Sequence, residues 1–304
     1  MKKISCCVCG SVEYALFLRG KDRLHKITGE EFDIVRCKSC GLVYLNPQPD
    51  QGELEKYYPK DYGPYNAGIE GVFKDSAVTA LLRKYLLPNK KTAIGRNPDS
   101  VDKSELKFLD FGCGGGEELA RKSLIHPCWD FYGLDNSKIA CQKTKEKGFT
   151  VFCDDQEEER LPENFFDIVN MSHVIEHVTD PSVVLNRIQA TMKDGGRIII
   201  STPNITSASF ILFRSFWFAL DTPRHLTLFS EKTLTRLLQK NGFRPVRVSY
   251  NAGPKVFLKS LRYFFGLNNA PIDPIIWRFF LPFSLVLAKF GLTSIMTIEA
   301  EKNI

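Results

Sequence analysis

The stretch "LKFLDFGCGGG" at 106–116 constrains the fold of this chain more than any other. An apolar strand runs directly into a turn of glycines, and the helical pattern "EELARKSLI" follows it. A Cβ at Gly112 or Gly114 would keep a ligand off the backbone, so the turn reads as a place where something is held close. The same alternation continues downstream. "WDFYGLD" (129–135) precedes the helical "NSKIACQKTKEKG", and "FTVFCDD" (149–155) ends in two acids. "NFFDIVNMS" (164–172) leads to a helix opening at Pro181, and "GGRIIISTPN" (195–204) is a fifth strand. Strands alternating with helices of this length predict an α/β fold, a parallel sheet covered by helices on both faces. Ligands of such sheets bind at the carboxyl ends of the strands.

The acids around this turn narrow the ligand. A dinucleotide fingerprint needs a third glycine where this chain has Glu117. Asp110, just ahead of the first glycine, suits a cationic ligand better than a pyrophosphate. Asp135 closes the second strand, where it can accept from both hydroxyls of a ribose. Asp155, in preference to Asp154, closes the third, where it can accept from an adenine amino group.

Five of the nine cysteines lie in "CCVCG" (6–10) and "CKSCG" (37–41). Cys6–x–x–Cys9 and Cys37–x–x–Cys40 are two knuckles, each closed by a glycine that permits the tight turn. Four thiolates in two such pairs suit a closed tetrahedral structural zinc. Residues 1–50 carry too few large apolar groups to form a core alone, and zinc can stand in for one. Cys7 is the odd member. Cys113, Cys128, Cys141 and Cys153 are scattered and read as small apolar fillers.

Taken together, these blocks resemble the class I S-adenosylmethionine-dependent methyltransferases over about 106–250, with a last strand near 294–301. "VRCKSCGLVYLNPQP" (35–49), "HVIEHVTDP" (173–181) and "TPRHLTLFSEKTLTRLLQKNGF" (222–243) are similar to a bacterial branch with an N-terminal four-cysteine zinc module. That branch is often associated with methylating sugars, polysaccharide precursors and other small metabolites. The resemblance implies a Rossmann-like class I methyltransferase sheet with a small zinc-ribbon-like module. It implies S-adenosyl-L-methionine as cofactor, contacted by Gly112, Gly114, Asp135 and Asp155, with Asp110 orienting its methionine end. The expected division is a zinc module at 1–50, a connector and leading helix at 51–105, and a transferase domain at 106–304. Lid-like insertions are expected near 205–230 and 252–293.

"HVIEHV" (173–178) places His173, Glu176 and His177 on one face of a helical turn, directly after the fourth strand. The string matches a metalloprotease motif, but Thr179-Asp180-Pro181 cuts the turn short and starts a new helix, so protease chemistry is excluded. Its place is the rim where a methyl acceptor lies, and His225 in "TPRHLTLF" comes from a segment able to close over that rim. Three readings stand: a histidine base oriented by Glu176, a second divalent metal, and a turn fixed structurally. The cluster resembles that of small-RNA 2′-O-methyltransferases and ubiquinone-pathway O-methyltransferases. In the former, a glutamate stands where this chain has His173; that exchange favours Zn²⁺, Mn²⁺ or Fe²⁺ over Mg²⁺.

The expected reaction is O-methylation of a small-molecule or glycan-type acceptor. The alternatives are C- or N-methylation and a non-catalytic zinc-ribbon binding protein. A formal charge of +6, spread along the chain, selects no anionic partner, and no run interleaves basic and aromatic residues as nucleic-acid binding would need. "MKKISCCVCG" has no apolar run after its lysines and reads as no secretory signal, so the expected location is cytoplasmic, with reduced cysteines. "IIWRFFLPFSLVLAKF" (275–290) is too short and too charged to span a bilayer. Its Phe279, Phe280, Phe283 and Leu287, with Arg278 and Lys289, could instead dock at the inner face of a membrane. Nothing in the sequence sets the oligomeric state.

Overall fold

A computed structural model describes residues 1–59, 105–154, 161–267 and 273–303. Residues 60–104 of the expected connector and leading helix, and Asp155, lie outside the described residues.

The strands expected from the glycine turn onward form the central sheet. They are β4 (Lys107–Phe111), β5 (Asp130–Asp135), β6 (Thr150–Cys153), β7 (Phe166–Ser172) and β8 (Met192–Pro203), joined by β10 (Phe243–Tyr250) and β11 (Ile295–Lys302). Their order is β10-β11-β8-β7-β4-β5-β6. β4 pairs in parallel with both β5 and β7, while β11 runs antiparallel between β8 and β10. The order reverses direction at β4, which is the switch point where open α/β sheets bind ligands. This is the Rossmann-like class I methyltransferase fold.

Local chemistry accounts for the helices around it. Among them, α2 (Glu117–Ile125) follows the glycine turn, and two glutamates in its first turn complement its dipole. Ser137 caps α3 (Lys138–Glu146) by accepting from Ala140 N. Asp180 accepts from Ser182 N and Val183 N at the start of α4 (Pro181–Thr191), with proline in the first turn as the sequence indicates. A capping box of Ser230 and Thr233 opens α6 (Glu231–Lys240). Leu185, Ile188, Leu234 and Leu237 from α4 and α6 pack on one sheet face against Val169, Ile198 and Ile298. Phe108, Ile168, Leu119 and Cys141 fill the other face. Cys141 and Cys153, expected as isolated fillers, are joined in a disulfide between α3 and β6.

The N-terminal residues share a sheet with a later part of the chain. β1 (Tyr14–Lys21), β2 (Glu31–Cys37) and β3 (Val43–Leu45) form an antiparallel sheet whose fourth strand, β9 (Thr227–Leu228), comes from the transferase part. The apolar face of this sheet, including Phe32, Ile34 and Leu45, packs on Phe210, Trp217 and Leu228. The 205–230 insertion, expected as a lid, packs on this sheet through Phe210 and Trp217, while its Phe218, Asp221 and His225 line a cavity. It contains α5 (Ala208–Phe213) and two short 3₁₀ turns, and Trp217 is 1% exposed. The chain continues into α1 (Gln51–Glu55), and late in the sequence α7 (Lys255–Phe264) and α8 (Pro274–Lys289) precede β11. Among the described residues, no helix is long and apolar enough to cross a membrane.

Candidate active site

The carboxyl ends of β4, β5 and β7 open into a cavity of about 1050 Å³. One wall is the glycine turn. Gly112 has φ +79° and Gly114 +53°, conformations that L side chains rarely take. A Cβ at Gly112 would also lie 2.4 Å from Val174 Cγ2, so the turn is pressed against the HVIEH segment. Asp135 carries the geometry onward by accepting from Gly114 N at 2.9 Å and from Ser137 N at 2.9 Å. Thr144 Oγ1 donates to Gly114 O at 2.9 Å, bracing the turn from α3. Gly112, Gly114 and Asp135 all line the cavity. Asp110 does not. It is 3% exposed beneath the turn and accepts from Asn170 Nδ2 at 2.8 Å. Burial pushes its carboxyl up to about 7, against the Asn170 hydrogen bond, which lowers it. Asp154, paired with Arg187 at 2.7 Å, lines the cavity next to the position expected for Asp155.

The opposite wall holds the histidines. The HVIEH segment is a tight turn rather than the expected helical one, because His173 takes φ +56° directly after β7. The turn still brings its polar groups together. His173 Nδ1 lies 3.1 Å from Glu176 Oε1, and Thr202 Oγ1 donates to Glu176 Oε2 at 2.8 Å. Glu176 is fully buried behind the cavity wall, which His173, His177 and His225 line. Burial raises the Glu176 carboxyl, but the hydrogen bond and charges of the surrounding histidines outweigh it and bring it down to about 2. Burial lowers His173, yet its Glu176 partner raises it above the ordinary histidine value. His177 falls to about 4, chiefly by burial and then by the neighbouring His225.

Backbone carbonyls set the tautomers of the two facing imidazoles. His177 Nδ1 is 3.1 Å from Arg224 O, and His225 Nδ1 is 2.8 Å from Ala219 O. A carbonyl oxygen only accepts, so His225 Nδ1 carries the proton and its Nε2 the lone pair; the Arg224 carbonyl favours the same tautomer at His177, whose Nδ1 also meets the Tyr58 hydroxyl. The rings meet edge to face at 4.6 Å. Glu176, His177 and His225 each offer one ligand atom, all within 4.8 Å of one another. Held by its other nitrogen in this way, an imidazole suits either proton acceptance or metal ligation.

Several residues that build this wall carry no local signal in the sequence. The Tyr58 hydroxyl lies 3.0 Å from His177 Nδ1. Arg224, fully buried, donates to Asp22 at 2.7 Å, to Asp221 at 2.6 Å and to the Tyr57 carbonyl at 2.8 Å. This network joins the end of β1, the chain after α1 and the loop that bears His225. Leu24, Leu54 and Tyr58 therefore line the same cavity as the glycine turn.

At the far end of the N-terminal sheet, Cys6, Cys9, Cys37 and Cys40 converge as expected, their sulfurs all within 4.8 Å. Cys6 and Cys40 stand 3.4 Å apart, and Cys9 and Cys37 3.5 Å. Gly10 and Gly41 have φ of +75° and +81°, turning each knuckle. Cys7 lies outside the four, its carbonyl accepting from Lys240 Nζ. The tetrad is compatible with zinc.

A family model described as a methyltransferase domain matches residues 78–248, more than half of the chain. A ubiquinone biosynthesis O-methyltransferase of Aliivibrio fischeri strain MJ11 is 29% identical over 171 residues, covering 53% of this chain and 67% of that protein. The protein of the same name from Bradyrhizobium sp. is 38% identical over 124 residues, covering 38% of this chain and 48% of that one. A solved S-adenosylmethionine-dependent methyltransferase from Archaeoglobus fulgidus is 25% identical, with a TM-score of 0.46 over 75% of this chain and 93% of the other.

Proposed function

The chain belongs to the methyltransferase-domain family, and on that premise we propose that this S-adenosylmethionine-dependent methyltransferase methylates a hydroxyl of a small-molecule acceptor of sugar or glycan type. The observation that carries the reading is the pair of imidazoles whose Nε2 lone pairs are left available by backbone carbonyls at Nδ1, across one cavity from the glycine turn. The O-methyltransferase names of the relatives support the same choice of acceptor atom.

S-adenosylmethionine supplies an electrophilic methyl on a sulfonium. Gly112, Gly114 and Asp135 are the residues that would hold it, with Asp110 beneath the turn favouring its cationic end. Asp155 would contact the adenine, with Asp154 next to it in the sequence. His225, or His177, would take the hydroxyl proton at Nε2, leaving the acceptor oxygen as the nucleophile toward the methyl group that the cofactor would supply. His173, hydrogen-bonded to the buried Glu176, stands beside them on that wall. Exclusion of water falls to the apolar wall of Leu24, Val256 and Phe218.

Methyl-labelled cofactor offered with polyhydroxy acceptors, and with the same acceptors blocked at oxygen, tests this. Label should enter only the unblocked set, as a methyl ether. Label found on carbon or nitrogen would replace the reading with C- or N-methylation.

A second reading of the same wall rests on the close approach of Glu176, His177 and His225. These residues would hold a borderline divalent ion, which lowers the pKa of a bound hydroxyl. The four cysteines support a structural zinc at the other end of the sheet. Native mass spectrometry separates the cases, since one zinc per chain supports the base mechanism and two ions support the metal mechanism.

A further inference from the structure

α8 is apolar on two sides. Leu281, Leu285 and Ala288 are buried against Ala252 and the rings of Tyr250 and Trp277. On the outer side, Ile275, Phe279, Phe283 and Val286 recur at helical spacing and are 74%, 79%, 49% and 45% exposed, and Phe290 follows at 72%. The apolar surface continues beyond α8. Phe257 of α7 contacts Phe280 and Phe283 at 5.7 and 6.0 Å, and Phe213 of α5 contacts Phe257 at 5.3 Å. Phe264 and Phe265 at the end of α7 are 54% and 65% exposed. An apolar face of this extent calls for an occupant.

Charge identifies it. α7 and α8 carry Lys255, Arg262, Arg278 and Lys289, with Lys259 turned over the Phe218 ring, and no acid. The acid just ahead, Asp273, is engaged in capping Ile275 N. Exposed aromatic and aliphatic side chains flanked only by cations match an anionic lipid surface, where apolar groups enter the acyl boundary and Lys and Arg meet the headgroups. The helix is too short to span, so it lies in the interface. α7 also borders the cavity, since Val256 lines it while the neighbouring Phe257 packs on α8.

We infer that α7 and α8 form a docking surface for an anionic bilayer and present the cavity mouth to it. The transferase reading bears only on what the docking serves, an acceptor carried by a lipid. Sedimentation with phosphatidylcholine vesicles, with and without phosphatidylglycerol, tests the inference on the full chain. Wild type should pellet with the anionic vesicles and weaken at high salt. The double variant Phe279→Asp/Phe283→Asp should lose more than about tenfold in vesicle affinity, and Arg278→Glu at least about fivefold. S-adenosylhomocysteine affinity, read by calorimetry on the same samples, should stay unchanged, which separates this surface from the cofactor site. Wild type remaining in the supernatant with both vesicle types overturns the inference. So does a dimeric wild type that the double variant converts to monomer without either binding vesicles, which would assign the face to a second copy of the chain.

Discussion

Asp110 is a carboxyl group held near its neutral form inside the protein. With an ordinary value of 3.8 and a folded value of about 7, it keeps its proton in the fold while the unfolded chain releases it. Its contribution to stability is therefore complete below pH 3.8 and is lost as pH rises toward 7. A cofactor with a cationic methionine end reverses the preference, because it favours the carboxylate. Binding of S-adenosylmethionine, which carries the sulfonium charge, should release a proton below pH 7 and tighten as pH rises. Calorimetry in buffers of different ionisation enthalpy reads this directly, and binding with no proton release would take Asp110 out of the cofactor site. On the other wall, His225→Ala should lower turnover by about 10²-fold or more with cofactor affinity unchanged. Unaltered turnover would leave His225 with a structural role only. The shared place of Gly112, Gly114 and Asp135 on the cavity was legible in the sequence, because backbone conformation and strand position restrict which residue type can stand there. Arg224 and Asp22 were not, since partners 202 residues apart leave no local pattern.

Two elements meet at Gly112 and Val174, and neither can move alone. Adding a methyl at Gly112 imposes both a strained φ and a clash, so Gly112→Ala should cost about 1–3 kcal/mol and weaken cofactor binding. Val174→Ala removes the clash but not the strain. A double-mutant cycle in urea should then show part of the loss recovered, whereas strict additivity would mean the two segments do not press on each other. The strand and helix order was readable at this scale because period and capping residues are local signals. The conformation of HVIEHV was not. Spacing alone suggested one helical face, but the left-handed His173 turns the segment back toward 224–227, where Glu176 O accepts from Leu226 N at 2.7 Å.

The whole molecule is tied together through β9 and Arg224. Because β3 pairs with residues 227–228, and Phe32 and Ile34 cluster with Trp217, cutting away residues 1–50 would expose the core of the 205–230 segment. That truncation should yield insoluble protein; a soluble fragment with full cofactor affinity would show the two parts to be independent. Arg224→Met leaves Asp22 and Asp221 buried without their cation and should cost about 3–5 kcal/mol in chemical denaturation. Adding Asp22→Asn should recover part of it, and an unchanged midpoint for Arg224→Met would contradict the buried network.

The cavity draws its walls from different parts of the chain. Gly112, Gly114 and Asp135 come from one compact run, whereas Leu24, Tyr58, Phe218, His225 and Val256 come from four others. The two walls can accordingly accumulate change at separate rates. A lineage could trade one acceptor for another by redrawing the second wall while its methyl donor stayed the same.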